Sequence, residues 1–163
     1  MIDAELAVLA ETVLTENRAA GRMVATAESC TGGLVAASLT EIAGSSDVVD
    51  RGFVTYSNAA KQALLGVPDD LLSRHGAVSE ACARAMAAGA LARSQASVAV
   101  AITGIAGPGG GSAEKPVGMV VFGLAVRGGE VTAFTRQFGD IGRAETRRQA
   151  ALVALGLLRP QTA

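Results

Sequence analysis

Arg22-Met23-Val24-Ala25-Thr26-Ala27, then Glu28-Ser29-Cys30-Thr31-Gly32-Gly33, then Leu34-Val35-Ala36-Ala37-Ser38-Leu39: the fold turns on this stretch. Its first third is an apolar run of strand length, the pattern of a strand buried on both faces. Two glycines then release the chain into an apolar helical segment. A buried strand that empties through a glycine turn into a helix is the building unit of α/β folds. Working outward, residues 2–20 place Leu6, Leu9, Val13 and Leu14 among charges, which predicts an amphipathic helix ended by Gly21. Gly44-Ser45-Ser46 reads as a loop, and Val49 to Tyr56 as a second strand. Three helices follow: Asn58 to Leu65, closed by Gly66; Pro68 to His75, with proline at its start; and an alanine-rich helix from its cap Ser79 to about Arg93. Ser97 to Thr103 is a strongly apolar strand that runs into Gly104-Ile105-Ala106-Gly107-Pro108-Gly109-Gly110-Gly111. Val117 to Arg127 and Val131 to Phe138 are β-rich runs joined at Gly128-Gly129, a hairpin signal, and Gly142 to Leu158 is a last helix. The expected fold is α/β: one domain spanning 1–163, a three-layer α/β/α sandwich whose mixed sheet includes a C-terminal β-hairpin.

Composition narrows the function. The chain of 163 residues is half apolar, enough for one core, with 3% aromatics and no Trp. A net charge of −1 and few aromatic rings argue against nucleic acid and against an anionic membrane surface. No run of 18 apolar residues predicts a membrane span. Met1 to Glu5 is acidic and lacks the basic start of a secretory leader, so a cytoplasmic location is expected. Cys30, Cys82 and His75 form no disulfide or zinc pattern; the cysteines read as reduced, buried thiols, and no metal or cofactor is expected.

In open α/β sheets ligands collect outside the carboxyl ends of strands. Three such ends carry conspicuous residues. Ser29 stands between a strand and a glycine-hinged helix, where its hydroxyl is lifted out of the sheet. The amides from Cys30 through Thr31, Gly32 and Gly33 are placed to bind an oxyanion or phosphate. Ser29 and Thr31 read equally as helix caps, and Cys30 is a rival nucleophile without a visible base. Tyr56-Ser57-Asn58-Ala59-Ala60-Lys61 follows the second strand. Among 14 basic residues only Lys61 and Lys115 are lysines, and lysine, unlike arginine, can lose its proton when desolvated. Lys61 is therefore either the general base that a serine nucleophile needs, with Tyr56 relaying a proton or holding the amine, or a solvated helix lysine. The third segment, Thr103 to Gly111, matches neither the phosphate-binding loop with its lysine nor the dinucleotide fingerprint. It reads as a backbone-rich ligand loop or as a flexible connection.

Together these segments closely resemble the CinA C-terminal family of nicotinamide-nucleotide amidases. The resemblance rests on Ala27 to Gly33, Tyr56-Ser57-Asn58 with Lys61, Gly76-Ala77-Val78-Ser79-Glu80, Thr103 to Pro108 and Lys115-Pro116-Val117-Gly118, in that order, and spans roughly residues 5–158. It implies hydrolysis of the carboxamide of nicotinamide mononucleotide to the nicotinic acid nucleotide and ammonia. The catalytic serine, lysine and tyrosine fall on Ser29, Lys61 and Tyr56. Expected substrate contacts are Thr31, Gly32, Gly33, Gly44, Ser45, Ser46, Thr103, Gly104, Ala106, Gly107 and Arg143. The family reads Gly-Asp-Arg before its last helix. Here Ile141-Gly142 intervenes between Gly139-Asp140 and Arg143, so Arg143 takes the arginine's place across a two-residue insertion, with Arg147 four residues on. The expected partners are a small nucleotide and further copies of the chain, with no nucleic acid and no membrane. Family members often carry a further N-terminal domain, and this chain is expected to be the stand-alone form. The competing reading is a ligand-binding or regulatory domain of the same fold with little activity or another substrate.

Overall fold

A computed structural model of the chain describes residues 1–161. The elements are α1 (Ala4–Ala19), β1 (Val24–Glu28), α2 (Leu34–Thr40), β2 (Val49–Val54), α3 (Asn58–Leu65), α4 (Asp69–His75), α5 (Glu80–Ala92), β3 (Val98–Gly104), β4 (Met119–Val126), β5 (Val131–Gln137) and α6 (Arg143–Leu157). The expected loop at Gly44 to Ser46 contains a short 3₁₀ turn, Ser45–Asp47. The predicted cap holds at Ser79, whose hydroxyl accepts from the Cys82 amide and starts α5; the Ser57 hydroxyl does the same for α3, accepting from the Ala60 amide.

The five strands form one sheet in the order β2-β1-β3-β4-β5. β1 pairs parallel with β2 and β3, and β3-β4-β5 is antiparallel. The sheet is therefore mixed and ends in the predicted hairpin. α1, α2 and α6 cover one face, and α3, α4 and α5 the other. Alternation along β3 explains the two layers. Val98, Val100 and Ile102 join the cluster under α1 and α6, while Ala99 and Ala101 join the cluster under α5. Branched side chains fill the first layer. Alanines on the second face let α5 lie close to the strands.

The same closeness sets the seat of α3. A Cβ at Gly89, in the middle of α5, would land on the carbonyl oxygen of Leu65 at the end of α3. Helix propensity alone would favour alanine there by about 1 kcal/mol. The collision is with backbone, which cannot rotate away, and overpacking of this kind costs about 1–3 kcal/mol. Gly89→Ala is expected to lower stability in denaturant titration and to push α3, with its Lys61, away from the sheet. An unchanged midpoint would show that the two helices part without cost.

Candidate active site

β1 leads to α2 on one face of the sheet. β2 leads through α3, α4 and α5 over the other face to β3, which lies on the opposite side of β1. The chain therefore leaves the neighbouring strands β1 and β2 toward opposite faces, which opens a crevice at the carboxyl ends of the parallel strands. A cavity of about 250 Å³ occupies that crevice. It is lined by Ser29 and Cys30 after β1, Tyr56, Asn58 and Lys61 around the start of α3, Ala77 and Val78 before α5, Thr103, Gly104 and Ala106 at the end of β3, and Arg143 at the start of α6. No Asp or Glu lines it. A larger groove of about 530 Å³ between α1 and α6 is remote from these residues and mostly apolar.

Ser29 continues the ladder one step past β1, its amide donating to Ile102 at 2.9 Å. The chain then turns sharply: the Gly32 amide closes on the Ser29 carbonyl at 3.0 Å, and Gly33 enters α2 with φ of 97°. A β-carbon disfavours that conformation, which is why the turn needs glycine there. Helix α2 itself begins later than the amides that the sequence suggested as an anion site. Its free amides, at Val35 and Ala36, are taken by the fully buried Glu28 carboxylate at 2.9 and 3.0 Å. Glu28 thus points away from Ser29, as strand alternation requires, and serves as the cap of α2. Within the turn, the amides of Cys30, Thr31 and Gly33 have no acceptor among the described hydrogen bonds.

The Lys61 side chain is 1% exposed, and its Nζ lies 3.0 Å from Ser29 Oγ and 2.9 Å from the Thr55 carbonyl oxygen. It is therefore no solvated surface lysine. Burial pulls its ammonium below the ordinary value of 10.5, and the nearby thiols of Cys82 and Cys30 oppose that only in part. The fold thus brings a hydroxyl and a buried amine, whose charged form burial disfavours, into contact across 32 residues of chain.

Tyr56 behaves otherwise than expected. No hydrogen bond among the described residues joins it to the amine: the residue is 60% exposed and its Oη accepts from Arg143 Nη2 at 2.9 Å. The reason is alternation at the strand end, which turns Thr55 inward and Tyr56 outward. The carbonyl of Thr55, which carries no side-chain signal, holds the lysine instead. Arg143 also donates to the Gly107 carbonyl at 2.8 Å, so it spans the cavity mouth from the β2 side to the β3 side. Ile141 and Gly142 lie in a turn closed by the Ile141 amide on the Gly139 carbonyl at 3.0 Å, and Arg143 reaches the mouth. Both of its acceptors are neutral, so its positive charge faces the cavity uncompensated.

Thr103, Gly104 and Ala106 line the cavity as expected, and Thr103 Oγ1 donates to the Ala77 carbonyl at 2.9 Å, fixing the wall before α5. Thr31, Gly32 and Gly33 lie behind Ser29 and do not line it, and Gly107 offers its carbonyl to Arg143. Gly44, Ser45 and Ser46 are corrected: they sit before β2, beside Arg18 at the end of α1, at the amino ends of the parallel strands and away from the cavity. A parallel strand separates its two ends by its whole length, so a loop that enters β2 cannot reach a site beyond β1. Asn58 lines the cavity although the sequence singled it out only as part of a motif.

Cys30 borders the cavity, but burial pushes its thiol up to about 12; its own backbone amide, Arg147 and Lys61 oppose the rise, and Glu28 adds to it. The thiolate is therefore strongly disfavoured at pH 8. Cys30 is accordingly expected to resist iodoacetamide at pH 8, with mass spectrometry showing no adduct, and Cys30→Ala is expected to keep most of any activity. Rapid alkylation with loss of activity would return the nucleophile role to the cysteine.

These features define a class, an α/β domain that holds a contacting serine and lysine at a sheet switch point, inside a cavity with a cationic mouth. The chain belongs to the CinA C-terminal domain family, whose model matches residues 6–162. It is 52% identical over 162 residues to the nicotinamide-nucleotide amidohydrolase PncC of Escherichia coli strain K12, covering 99% of this chain and 97% of that one. It is 60% identical over 141 residues to a CinA-like protein of Mycolicibacterium vanbaalenii, covering 86% of this chain and 33% of that one, so the chain spans about a third of that longer relative. The crystal structure of the competence/damage inducible protein CihA from Agrobacterium tumefaciens superposes with a TM-score of 0.94 at 54% identity, covering 97% of this chain and 96% of that one. No described helix is long and apolar enough to cross a membrane.

Proposed function

We propose that the chain hydrolyses the carboxamide of nicotinamide mononucleotide through an acyl-enzyme on Ser29. The observation that carries this reading is the buried contact of 3.0 Å between Ser29 Oγ and Lys61 Nζ. The name of the Escherichia coli relative, which matches along nearly the whole chain, supplies the substrate. Neutral Lys61 takes the Ser29 proton as Oγ attacks the carboxamide carbon. The carbonyl oxygen becomes an oxyanion beside the free amides of the Ser29 turn. As the tetrahedral intermediate collapses, the Lys61 ammonium returns the proton to the departing nitrogen, and ammonia leaves. A water then repeats the sequence on the ester: Lys61 takes its proton and passes it to Ser29 Oγ as the acyl–oxygen bond breaks, and the acid product leaves as carboxylate with its proton lost to solvent, restoring Ser29 and neutral Lys61. The cavity suits the pyridine end, and the ribose and phosphate extend past its mouth toward Arg143, with Tyr56 and Asn58 alongside.

The experiment is ammonia release by the purified protein from nicotinamide mononucleotide and from free nicotinamide. The nucleotide is expected to have the larger specificity constant by at least about 100-fold. A charge-assisted contact is worth about 1.5–3 kcal/mol, so Arg143→Ala should raise KM for the nucleotide about 10- to 100-fold with kcat little changed. Equal specificity constants for the two substrates would remove the nucleotide from the reading, and no ammonia from either would remove the amidase.

A further inference from the structure

The turn that carries Ser29 is clamped from outside, by α6. The carbonyl of Thr31 accepts two hydrogen bonds, from the Leu34 amide at 3.2 Å and from Arg147 Nη2 at 2.9 Å. This carbonyl and the Gly32 amide belong to one planar peptide unit. The Gly32 amide in turn donates to the Ser29 carbonyl at 3.0 Å. That carbonyl shares a peptide unit with the Cys30 amide, which points the opposite way and has no acceptor among the described hydrogen bonds. Two peptide planes are thus coupled in series: Arg147 holds the first, the first holds the second, and the second carries the amide of Cys30, a residue of the cavity wall.

Arg147 is free for this task. Its neighbour Arg148 pairs with Asp3, Glu5 and Glu145, whereas no ion pair among the described residues involves Arg147. Its guanidinium also lies over the turn itself, 3.5 Å from where a Cβ on Gly32 would stand. Arg147 does not line the cavity, which separates it from the ligand-facing Arg143 one helical turn earlier.

We infer that Arg147 is a positioning residue that prevents the Ser29–Cys30 peptide from flipping, so that the Cys30 amide stays directed at the oxyanion of the reaction proposed above. The inference rests on that amidase reading for its kinetic consequence but not for its structural one.

Two variants that keep the side-chain stem test it: Arg147→Met, which has no donor, and Arg147→Lys, which keeps one. Removal of an oxyanion donor costs about 10²–10³ in kcat, and a donor that is present but loosely aimed should cost less. Arg147→Met is expected to lower kcat for nicotinamide mononucleotide about 10- to 100-fold, with KM within about twofold of wild type and the Lys61 limb of the pH profile unmoved. Arg147→Lys should recover about tenfold of that loss. Equal kcat in the two variants, or a raised KM at unchanged kcat, would overturn the clamp. A second readout needs no substrate. In ¹⁵N-labelled protein the Gly32 amide should exchange with solvent at least about tenfold faster in Arg147→Met than in wild type, with Arg147→Lys between them. Identical exchange in all three overturns the clamp even if the wild-type protein proves not to release ammonia.

Discussion

Ser29→Ala is expected to lower kcat for nicotinamide mononucleotide by at least about 10⁴-fold, because loss of the nucleophile removes the covalent route altogether. The fold should survive. The Ser29 amide keeps its bond to the Ile102 carbonyl, and among the described residues the only side-chain bond lost is the one to Lys61, which retains the Thr55 carbonyl. Nucleotide affinity, measured by calorimetry, should stay within a few-fold, because Arg143 and the walls built by Thr103 and Ala77 are untouched. Cys30 cannot step in, being one residue along the turn and held neutral by burial. The acyl intermediate gives a direct check: wild-type protein quenched during turnover should carry the nicotinoyl-nucleotide mass on the peptide containing Ser29, and the variant none. A variant that kept a tenth of the wild-type rate would place the nucleophile elsewhere.

Lys61→Arg is expected to be nearly as damaging, a loss of about 10³-fold or more, although the charge is retained. Arginine stays protonated, so it cannot accept the Ser29 proton, and its larger head has no room at a position that is 1% exposed. Lys61→Met, close in volume and without an amine, should be equally inactive and correctly folded. The two together separate loss of the base from loss of shape. Wild-type kcat/KM should rise with pH through one ionisation below the ordinary 10.5, the direction in which burial moves Lys61. Both variants should lack this limb. The linked effect on stability has a definite sign. Between the depressed folded value and 10.5, the unfolded chain binds a proton that the folded chain does not. Stability from this group therefore grows as pH rises through that window and is lost as pH falls through the folded value. In Lys61→Met that slope should vanish, and the midpoint at neutral pH should be no lower than wild type. A Lys61→Arg protein with most of the wild-type rate would reduce Lys61 to a binding cation.

Among the residues singled out from sequence, those that the fold brings to one cavity are chemically unusual for their place: a serine between strand and glycines, one of two lysines in an arginine-rich chain, the start of a glycine-rich loop after a buried strand. What sequence reading missed acts through the backbone or through distance. Thr55 holds Lys61 with a carbonyl, and carbonyls do not differ from residue to residue. Glu28, given no role from sequence, places its carboxylate on the first free amides of α2. Tyr56 was read as a partner of Lys61 because both lie in one motif, but the alternation that turns Thr55 inward turns Tyr56 toward Arg143.

By itself the sequence determined the order and kind of the elements, because these follow from local signals: apolar runs of strand length, serine caps, glycine stops and a Gly-Gly hairpin. It also determined the two-layer covering of the sheet, since the Val-Ala-Val-Ala-Ile alternation of β3 demands one deep face and one shallow face. Only the tertiary structure decided which side of β1 receives β3, and hence that residues after β1, β2 and β3 meet around one cavity. It alone decided that Lys61 meets Ser29, that Gly44 to Ser46 lie at the far end of the strands, and that Arg147 grips the nucleophile turn from 116 residues away. Local rules reach one helical turn or one strand neighbour. Contacts between distant segments depend on how whole layers pack, which no short window of sequence contains.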